Sequence, residues 1–237
     1  MKLKIYMKNS DVVSFPLNYN YQFMSAIYRL ISRDTVLSDF LHNEGYQSCG
    51  KSFKLFVFSP IRGDYTIVEK SLVIYGDIWI EIRSPSSLFI EELKSRLFET
   101  CSFKLFDHTF EVKLIELYDR PLMGNSFKIK TISPIVARRE NEGKSVYFSP
   151  SDTEFDKLVN LNLYGKYTAA YGEEPPSTVD LTLIGMPKKV VTKFKGIWIT
   201  AYHATFDMAA SAAVADLLYN SGLGNKNSQG FGMFEVL

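Results

Sequence analysis

Cysteine and long apolar runs are scarce in this 237-residue chain, and each absence excludes a class of protein. Its two cysteines, Cys49 and Cys101, lie in no CxxC or CxH spacing, so we expect neither a disulfide framework nor a structural zinc site. No stretch approaches the roughly 20 apolar residues of a membrane span. The N-terminal residues also lack the apolar run of a signal peptide. We therefore expect a reduced, cytoplasmic protein with no membrane association.

The sequence also lacks the signatures of metal-dependent and covalent catalysis. Its three histidines, His42, His108 and His203, show no HExxH or HxH spacing, which argues against a bound catalytic metal. There is no GxSxG motif, and neither cysteine has an evident base. General acid and base chemistry without a metal or cofactor is the remaining option. His42 follows a predicted helix, and a helix C-terminus favours the protonated imidazole of a proton donor. His108 and His203 are predicted to be a surface and a packing residue.

An excess of positive charge is missing as well. The chain has 27 Lys and Arg against 26 Asp and Glu, so any binding to nucleic acid requires local segregation of charge. Two acid-free segments, residues 126–139 and 186–198, supply it. If both lie on one face they form a groove for a polyanion, whereas two solvated hairpins explain them equally well. Their basic residues are Lys128, Lys130, Arg138, Arg139, Lys188, Lys189, Lys193 and Lys195.

Apolar residues are plentiful, at 46 % of the chain, which is enough for one large or two small domains. Their periodicity predicts strand, helix, strand, strand, helix, strand over residues 1–122, and a fainter repetition over residues 123–237. The break is the turn-prone segment YDRPLMGN at 118–125. This order predicts an α+β protein of two tandem ferredoxin-like (RRM-like) domains, each a four-stranded antiparallel sheet with two helices.

Several boundaries follow from local signals. The first helix is interrupted at Ser32 to Asp34. Ser84 is predicted to cap a helix that begins with Pro85, and Ser151 to cap a helix over residues 152–171. A strand pair is predicted at residues 179–184 and 190–194, a hairpin at 136–149, and a helix at 208–220.

A glycine-rich string near the C-terminus, GLGNKNSQGFGM, is the most unusual part of the sequence. It matches neither a Walker loop nor a dinucleotide fingerprint. Its glycines permit turns that direct backbone N–H groups at an anion, although a helix end followed by a flexible hairpin also explains them. The residues predicted to contact RNA here are Gly222, Gly224, Lys226, Asn227 and Ser228.

An ordered set of segments extends over nearly the whole chain: FPLNYNYQFMSAIYRLI, FLHNEGY, KLFVFSPIRG, SPIVARR, AAYGEEPPS, GIWITAYHATF and GLGNKNSQGFGMFEV. The glycine-rich string is the most specific of them. In this order they resemble the CRISPR repeat-RNA endoribonucleases of the Cas-six family, within the RAMP superfamily. Residues 209–215 (AASAAVA) consist mainly of alanine, and this segment is less distinctive in sequence than the resemblance leads us to expect.

The resemblance implies tandem ferredoxin-like domains that bind CRISPR repeat RNA and cleave it on the 5′ side of the segment that becomes the guide's 5′ tag. It also implies catalysis by a tyrosine, a histidine and a lysine, which fall on Tyr28, His42 and Lys54, with Lys51 competing for the third role. On one continuous helix Tyr28 and His42 would lie about 21 Å apart. The interruption at Ser32 to Asp34 is therefore required to bring them together.

The implied reaction is attack of a ribose 2′-OH on the adjacent phosphate, which gives 2′,3′-cyclic phosphate and 5′-OH ends without a metal. Tyr28 would orient or deprotonate the 2′-OH, His42 would protonate the leaving oxygen, and Lys54 would stabilise the phosphoryl oxygens. A non-cleaving repeat-RNA binding protein and a structural subunit of a ribonucleoprotein effector complex are the alternatives. Association with other Cas proteins or with a second copy of the chain stays open.

Overall fold

The computed structural model describes residues 1–32, 37 and 39–237, except for the side chains of residues 41 and 42. In this part of the chain the strands form a seven-stranded sheet, a four-stranded sheet and two separate hairpins. No described helix is long and apolar enough to span a membrane.

The elements described for the N-terminal half include strands, two helices and a π-helical turn. In chain order its elements are β1 (Lys2–Lys8), β2 (Val13–Pro16), α1 (Asn20–Ile31), the π-helical turn (Phe40–Glu44), β3 (Tyr46–Ser48), β4 (Lys51–Phe53), β5 (Val57–Phe58), β6 (Arg62–Val68), β7 (Ser71–Arg83), α2 (Ser87–Thr100), β8 (Ser102–Leu105) and β9 (His108–Tyr118).

Four strands of this half form a ferredoxin-like core. β7 lies between β6 and β1, and β1 pairs with β9 on its other side, all antiparallel. β2, β5 and β8 extend this sheet beyond these four strands. β6 is a strand that we did not predict from the sequence. α1 and α2 present Phe23, Ile27, Phe89 and Leu93 to one buried cluster that also contains Ile80 from β7. Both helices therefore pack on the same face of the sheet.

The C-terminal half repeats this arrangement. Its elements are β10 (Ser126–Thr131), β11 (Ala137–Asn141), β12 (Lys144–Phe148), α3 (Glu154–Tyr171), β13 (Asp180–Phe194), β14 (Ile197–Ala209), α4 (Ala212–Ser221), a 3-10 turn (Asn227–Gln229) and β15 (Phe234–Val236). The sheet order is β13-β14-β10-β15. Phe155 and Val214, from the two helices, share a core with Ile129 and Phe206. The predicted α+β class with two tandem ferredoxin-like domains is confirmed. The division at residue 122 stays a prediction.

Two predicted helix caps, Ser84 for α2 and Ser151 for α3, are wrong. α2 begins at Ser87, and the Ser86 side chain accepts the cap hydrogen bond from the Phe89 amide. Ser84 instead donates to the Leu55 carbonyl at 2.7 Å. This bond explains why Ser84 does not cap the helix. The residue that precedes α3 is Thr153, which makes no side-chain cap bond.

Two further boundaries differ because β13 and β14 are longer than their local pattern indicates. β13 continues from Asp180 to Phe194 as one strand, with a register shift between Ile184 and Lys188 where we predicted a gap. β14 continues through Ala209, so α4 begins at Ala212 rather than at residue 208. Pairing with a neighbouring strand decides both cases. The predicted hairpin at 136–149 is present as β11 and β12.

Candidate functional site

A cleft of about 690 Å³ lies between the two domains. Its N-terminal wall is the segment 51–56, from β4 to the start of β5. Its C-terminal wall consists of Arg138 and Arg139 from β11, one face of α3, and residues 225–229 around the 3-10 turn. Several cations and the glycine-rich string therefore face one cavity.

Lys54 lies against the backbone that follows the π-helical turn. Gly45 ends that turn with φ +67°, and a Cβ at Gly45 would lie 3.0 Å from Lys54 Nζ and 2.6 Å from Ser52 Oγ. Only glycine fits such a close approach in this conformation. Burial lowers the pKa of Lys54 below its ordinary value. Lys54 thus contacts Gly45, which follows His42 by three positions in the sequence.

Tyr28 reaches the same segment from α1. Its ring meets the ring of Phe56, two residues after Lys54, edge to face at 6.1 Å between centroids. Burial raises the pKa of Tyr28 to about 12. A phenol with this pKa is neutral at physiological pH.

The structure describes fewer contacts for the other two candidate catalytic residues, His42 and Lys51. His42 belongs to the π-helical turn Phe40–Glu44, but its side chain lies outside the described residues. Its catalytic role stays a prediction. Lys51 is exposed on the β3–β4 hairpin opposite Ser48, and it lines the same cleft as Lys54. Both lysines therefore stay candidates for the third role.

Among the predicted RNA-binding residues, Arg138, Arg139, Lys226, Asn227 and Ser228 line the cleft. Arg138 Nη1 lies 2.8 Å from Glu140, and Arg139 lies 3.9 Å from Glu154. Glu140 follows this basic segment directly in the sequence, whereas the fold brings Glu154 to it.

The six predicted lysines of β10, β13 and the following turn lie elsewhere. Lys128 stands opposite Asp207 on β14, and Lys130 stands opposite Glu235 on β15. Lys193 Nζ lies 5.5 Å from the ring centre of Trp198. The remaining three are Lys188 and Lys189, which pair with β14, and Lys195, whose ammonium lies over the Tyr21 ring. None of the six lines the cleft as described. Any contact they make with RNA must lie outside it.

Internal hydrogen bonds hold the glycine-rich string in place. Asn227 Nδ2 donates to the carbonyls of Leu223 and Phe231, both at 2.9 Å. Asn20 of α1 donates to the Gln229 carbonyl at 2.9 Å and so ties the string to the first domain. The Asn227 amide therefore stabilises the string. Lys226 and Ser228 are the other residues of the string that were predicted to contact RNA and that line the cleft.

Two buried polar residues of α3 in the cleft escaped the sequence reasoning. Asn162 and Lys166 of α3 are 8 % and 3 % exposed, and both line the cleft. Lys166 Nζ donates to the Gly222 carbonyl at 2.6 Å, and burial lowers its pKa to about 7. The signal was present in the sequence, because both occupy positions of the buried stripe on α3 where apolar residues are expected.

The other two histidines lie in ordinary surroundings. His108 Nε2 is 2.9 Å from Asn9 Oδ1. His203 Nδ1 is 3.1 Å from Thr131 Oγ1, and burial lowers its pKa. Neither histidine lines the cleft.

Known proteins are similar to this chain in sequence and in fold. A family profile described as CRISPR associated protein Cas6, C-terminal, matches residues 118–236. The CRISPR-associated endoribonuclease Cas6 of Pyrococcus furiosus is 30 % identical over 228 residues, which cover 93 % of this chain and 83 % of that protein. CRISPR-associated endoribonuclease Cas6 1 of Methanocaldococcus jannaschii is 27 % identical over 98 % of this chain and 91 % of that protein.

Solved structures agree with these sequence matches. A structure of a CRISPR associated protein Cas6 superposes with a TM-score of 0.82 at 26 % identity, and the match covers 100 % of this chain and 99 % of that one. The profile and the Pyrococcus furiosus relative together span both domains. This chain belongs to the Cas6 family of CRISPR-associated proteins.

Proposed function

We propose that this protein is a metal-independent endoribonuclease that cleaves CRISPR precursor RNA within its repeat. Family membership supports the activity, because the related proteins of Pyrococcus furiosus and Methanocaldococcus jannaschii are named as CRISPR-associated endoribonucleases. The observation that supports the proposal is the position of Lys54, which lines a cleft with several cations and lies against Gly45 at the end of the π-helical turn that contains His42. Tyr28 contacts Phe56, two residues after Lys54.

The proposed reaction begins with attack of a ribose 2′-OH on the adjacent phosphate. The P–O bond to the 5′ oxygen then breaks, so the products carry a 2′,3′-cyclic phosphate and a 5′-OH. Tyr28 orients the 2′-OH as a neutral phenol, which agrees with the raised pKa of its buried side chain. The 2′-OH releases its proton to solvent as the new P–O bond forms. His42 donates the proton to the leaving oxygen. Lys54, or Lys51 in its place, stabilises the charge on the phosphoryl oxygens.

The cleft gives this reaction a place for its substrate. Lys226, Arg138 and Arg139 on the C-terminal wall face the segment with Lys51 and Lys54 on the N-terminal wall. Phosphate contacts by such side chains provide most of the affinity of proteins for nucleic acids. We infer that the RNA backbone enters between the two walls and places one phosphate at Lys54.

A cleavage assay with labelled repeat RNA in EDTA tests the proposal. We expect wild-type protein to cut the RNA, and His42→Ala and a substrate with a 2′-deoxy group at the scissile position to give no detectable cutting. Undiminished cutting of the deoxy substrate would contradict attack by the 2′-OH. Loss of wild-type activity in EDTA would contradict metal independence.

The same assay separates the alternatives. Tight binding of repeat RNA without cutting by the wild type would favour a non-cleaving RNA-binding protein. Size-exclusion chromatography with and without RNA would then show whether the chain associates with a second copy or with other Cas proteins. Parallel variants Lys51→Ala and Lys54→Ala decide which lysine acts, because the catalytic one should lose about 100-fold to 1000-fold in rate.

A further inference from the structure

Asn162 has a buried polar atom without a partner inside the cleft. The residue is 8 % exposed, it lines the cleft, and its Oδ1 is buried without a hydrogen-bond partner. A buried amide oxygen that has lost water and gained no hydrogen bond costs free energy. Such an atom in a cavity wall is therefore suited to a ligand that brings an N–H donor.

The neighbours of Asn162 do not supply this donor. Lys166, one turn farther along α3, donates to the Gly222 carbonyl. Asn160, on another face of the helix, has its own partner at Val179, to which it donates and from which it accepts. The Asn162 side chain thus stays available to the cleft.

An aromatic ring lies beside Asn162. A Cβ at Gly165 would lie 2.7 Å from Phe53 Cζ, so the Phe53 ring rests on α3 at this residue. Asn162 precedes Gly165 by three positions, and residues with this spacing are neighbours on one helix face. Phe53 also lines the cleft. An amide next to an aromatic ring provides both hydrogen bonding to a base edge and stacking on a base face.

We propose that Asn162 reads one unpaired nucleobase of the RNA that the cleft binds, through paired hydrogen bonds to a base edge that presents an N–H donor beside an acceptor. This inference rests on the proposed function, because it requires RNA in the cleft. Adenine presents this pattern at N6 and N7, and asparagine is its usual partner. The nearby cations hold the backbone, and Asn162 gives the cleft a preference at one position of the repeat.

Binding to a panel of repeat RNAs tests the inference. In each RNA one position is replaced in turn by the other three bases, and binding is measured in a His42→Ala background so that the RNA stays intact. We compare that protein with one that also carries Asn162→Leu, which has the same number of side-chain heavy atoms and no amide. We expect the reference protein to prefer adenine at one position by about 10-fold to 100-fold. Asn162→Leu should reduce this preference to about 2-fold or less and leave preferences elsewhere unchanged.

Thr168→Val is the matched control. Thr168 Oγ1 is a second buried atom of α3 without a partner, but Thr168 does not line the cleft. Both variants remove a polar atom of this kind, so both should keep or raise the melting temperature. Only Asn162→Leu should change base preference. Asn162→Ala provides the same test if the larger side chain impairs folding.

Two results would overturn the inference, and they are distinguishable. If the RNA binds with a base preference that Asn162→Leu and Asn162→Ala leave intact at every position, the role of Asn162 is wrong while the proposed function stands. If the reference protein does not bind repeat RNA, the proposed function fails and the inference fails with it.

Discussion

Burial shifts the pKa values of two side chains that we propose act in catalysis, Lys54 and Tyr28. Its pKa is lowered below 10.5 by burial, whereas the pKa of Tyr28 is raised to about 12. As pH rises, Lys54 therefore loses its charge before Tyr28 ionises. A catalytic Lys54 makes the cleavage rate decrease on the alkaline side, at a pH lower than an ordinary lysine would give.

We predict that Lys54→Arg moves this alkaline decrease to higher pH, because a guanidinium stays charged throughout the range. Single-turnover rates of both proteins against pH, with the rate of RNA hydrolysis without protein subtracted, provide the measurement. Tyr28→Phe should lower the rate and keep the alkaline decrease where it is in the wild type. A decrease that stays in place in Lys54→Arg would remove Lys54 from the mechanism.

We predict that the free energy of unfolding depends on pH through the buried side chain of Lys166. Its pKa is about 7 in the folded protein and near 10.5 when unfolded, so between these values the unfolded chain binds the additional proton. The free energy of unfolding therefore rises with pH in this window, by about 1.4 kcal/mol per pH unit from this group. The penalty for the buried charge is complete below pH 7 and is relieved as pH rises toward 10.5.

Lys166→Met should remove this dependence. We expect its free energy of unfolding, relative to that of the wild type, to be highest near neutral pH and to fall as pH rises toward about 10. Urea unfolding of both proteins at several pH values measures the difference. A difference that is constant with pH would show that Lys166 is not the titrating group.

At the scale of elements, the β3–β4 hairpin packs against α3 directly before Lys54, the lysine that we propose acts in catalysis. Phe53 ends β4 directly before Lys54, and its ring fills the space above Gly165, where a Cβ would lie 2.7 Å from Phe53 Cζ. Alanine normally stabilises a helix by about 1 kcal/mol relative to glycine. Here the added methyl group must displace the ring, and overpacking of this kind costs about 1 to 3 kcal/mol.

We predict that Gly165→Ala lowers the melting temperature and lowers the cleavage rate more strongly than RNA affinity. The second effect follows because a shifted Phe53 also moves Lys54. The double variant Gly165→Ala, Phe53→Leu should recover part of the rate, since the smaller side chain leaves room for the methyl group. An unchanged rate in the single variant would show that this contact does not position Lys54.

The glycine-rich string is predicted to contribute one phosphate contact through Lys226. Lys226→Ala should weaken repeat-RNA binding and reduce the salt dependence of the binding constant by about one phosphate. Lys144→Ala is the control, because Lys144 is exposed on the β11–β12 hairpin and does not line the cleft. An equal salt slope in wild type and Lys226→Ala would leave the string with a structural role only.

At the scale of the whole molecule, Arg83 joins the two domains. It is 2 % exposed at the end of β7, forms an ion pair with Glu81, and donates to the Phe234 carbonyl of β15 at 2.7 Å. Its guanidinium lies 3.8 Å from the centre of the Tyr219 ring on α4. The contacts with Phe234 and Tyr219 depend on the relative position of the domains, so Arg83 links their stability.

We predict that Arg83→Met destabilises the protein by about 3 to 5 kcal/mol, because Glu81 keeps its buried charge and loses its main partner. Differential scanning calorimetry should show a lower melting temperature, with the single transition broadened or divided between the domains. Lys94→Met, which breaks an exposed ion pair with Glu91 on α2, should change stability by about 1 kcal/mol or less. Equal effects of the two variants would contradict the role of Arg83.

Local patterns were sufficient for the order of elements and hence for the fold class. The alternation in β1 and the helical spacing of α1 are properties of consecutive residues, so they can be read without knowledge of the neighbours. The same reasoning was wrong at Ser84, whose hydroxyl bonds to Leu55, and at the gap in β13, where pairing with β14 continues the strand. These boundaries depend on partners that are distant in the sequence.

The cleft shows most clearly which features local sequence patterns predict and which depend on partners that are distant in the sequence. Sequence resemblance predicted roles for Tyr28 and Lys54, but only the fold places Tyr28 against Phe56 and Lys54 against Gly45. Charge along the chain indicated two basic segments, and strand pairing placed Asp207 and Glu235 beside one of them. The element order follows from the periodicity of neighbouring residues. The composition of the cleft follows from the packing of two domains, because its walls come from segments as far apart as Lys51 and Gln229.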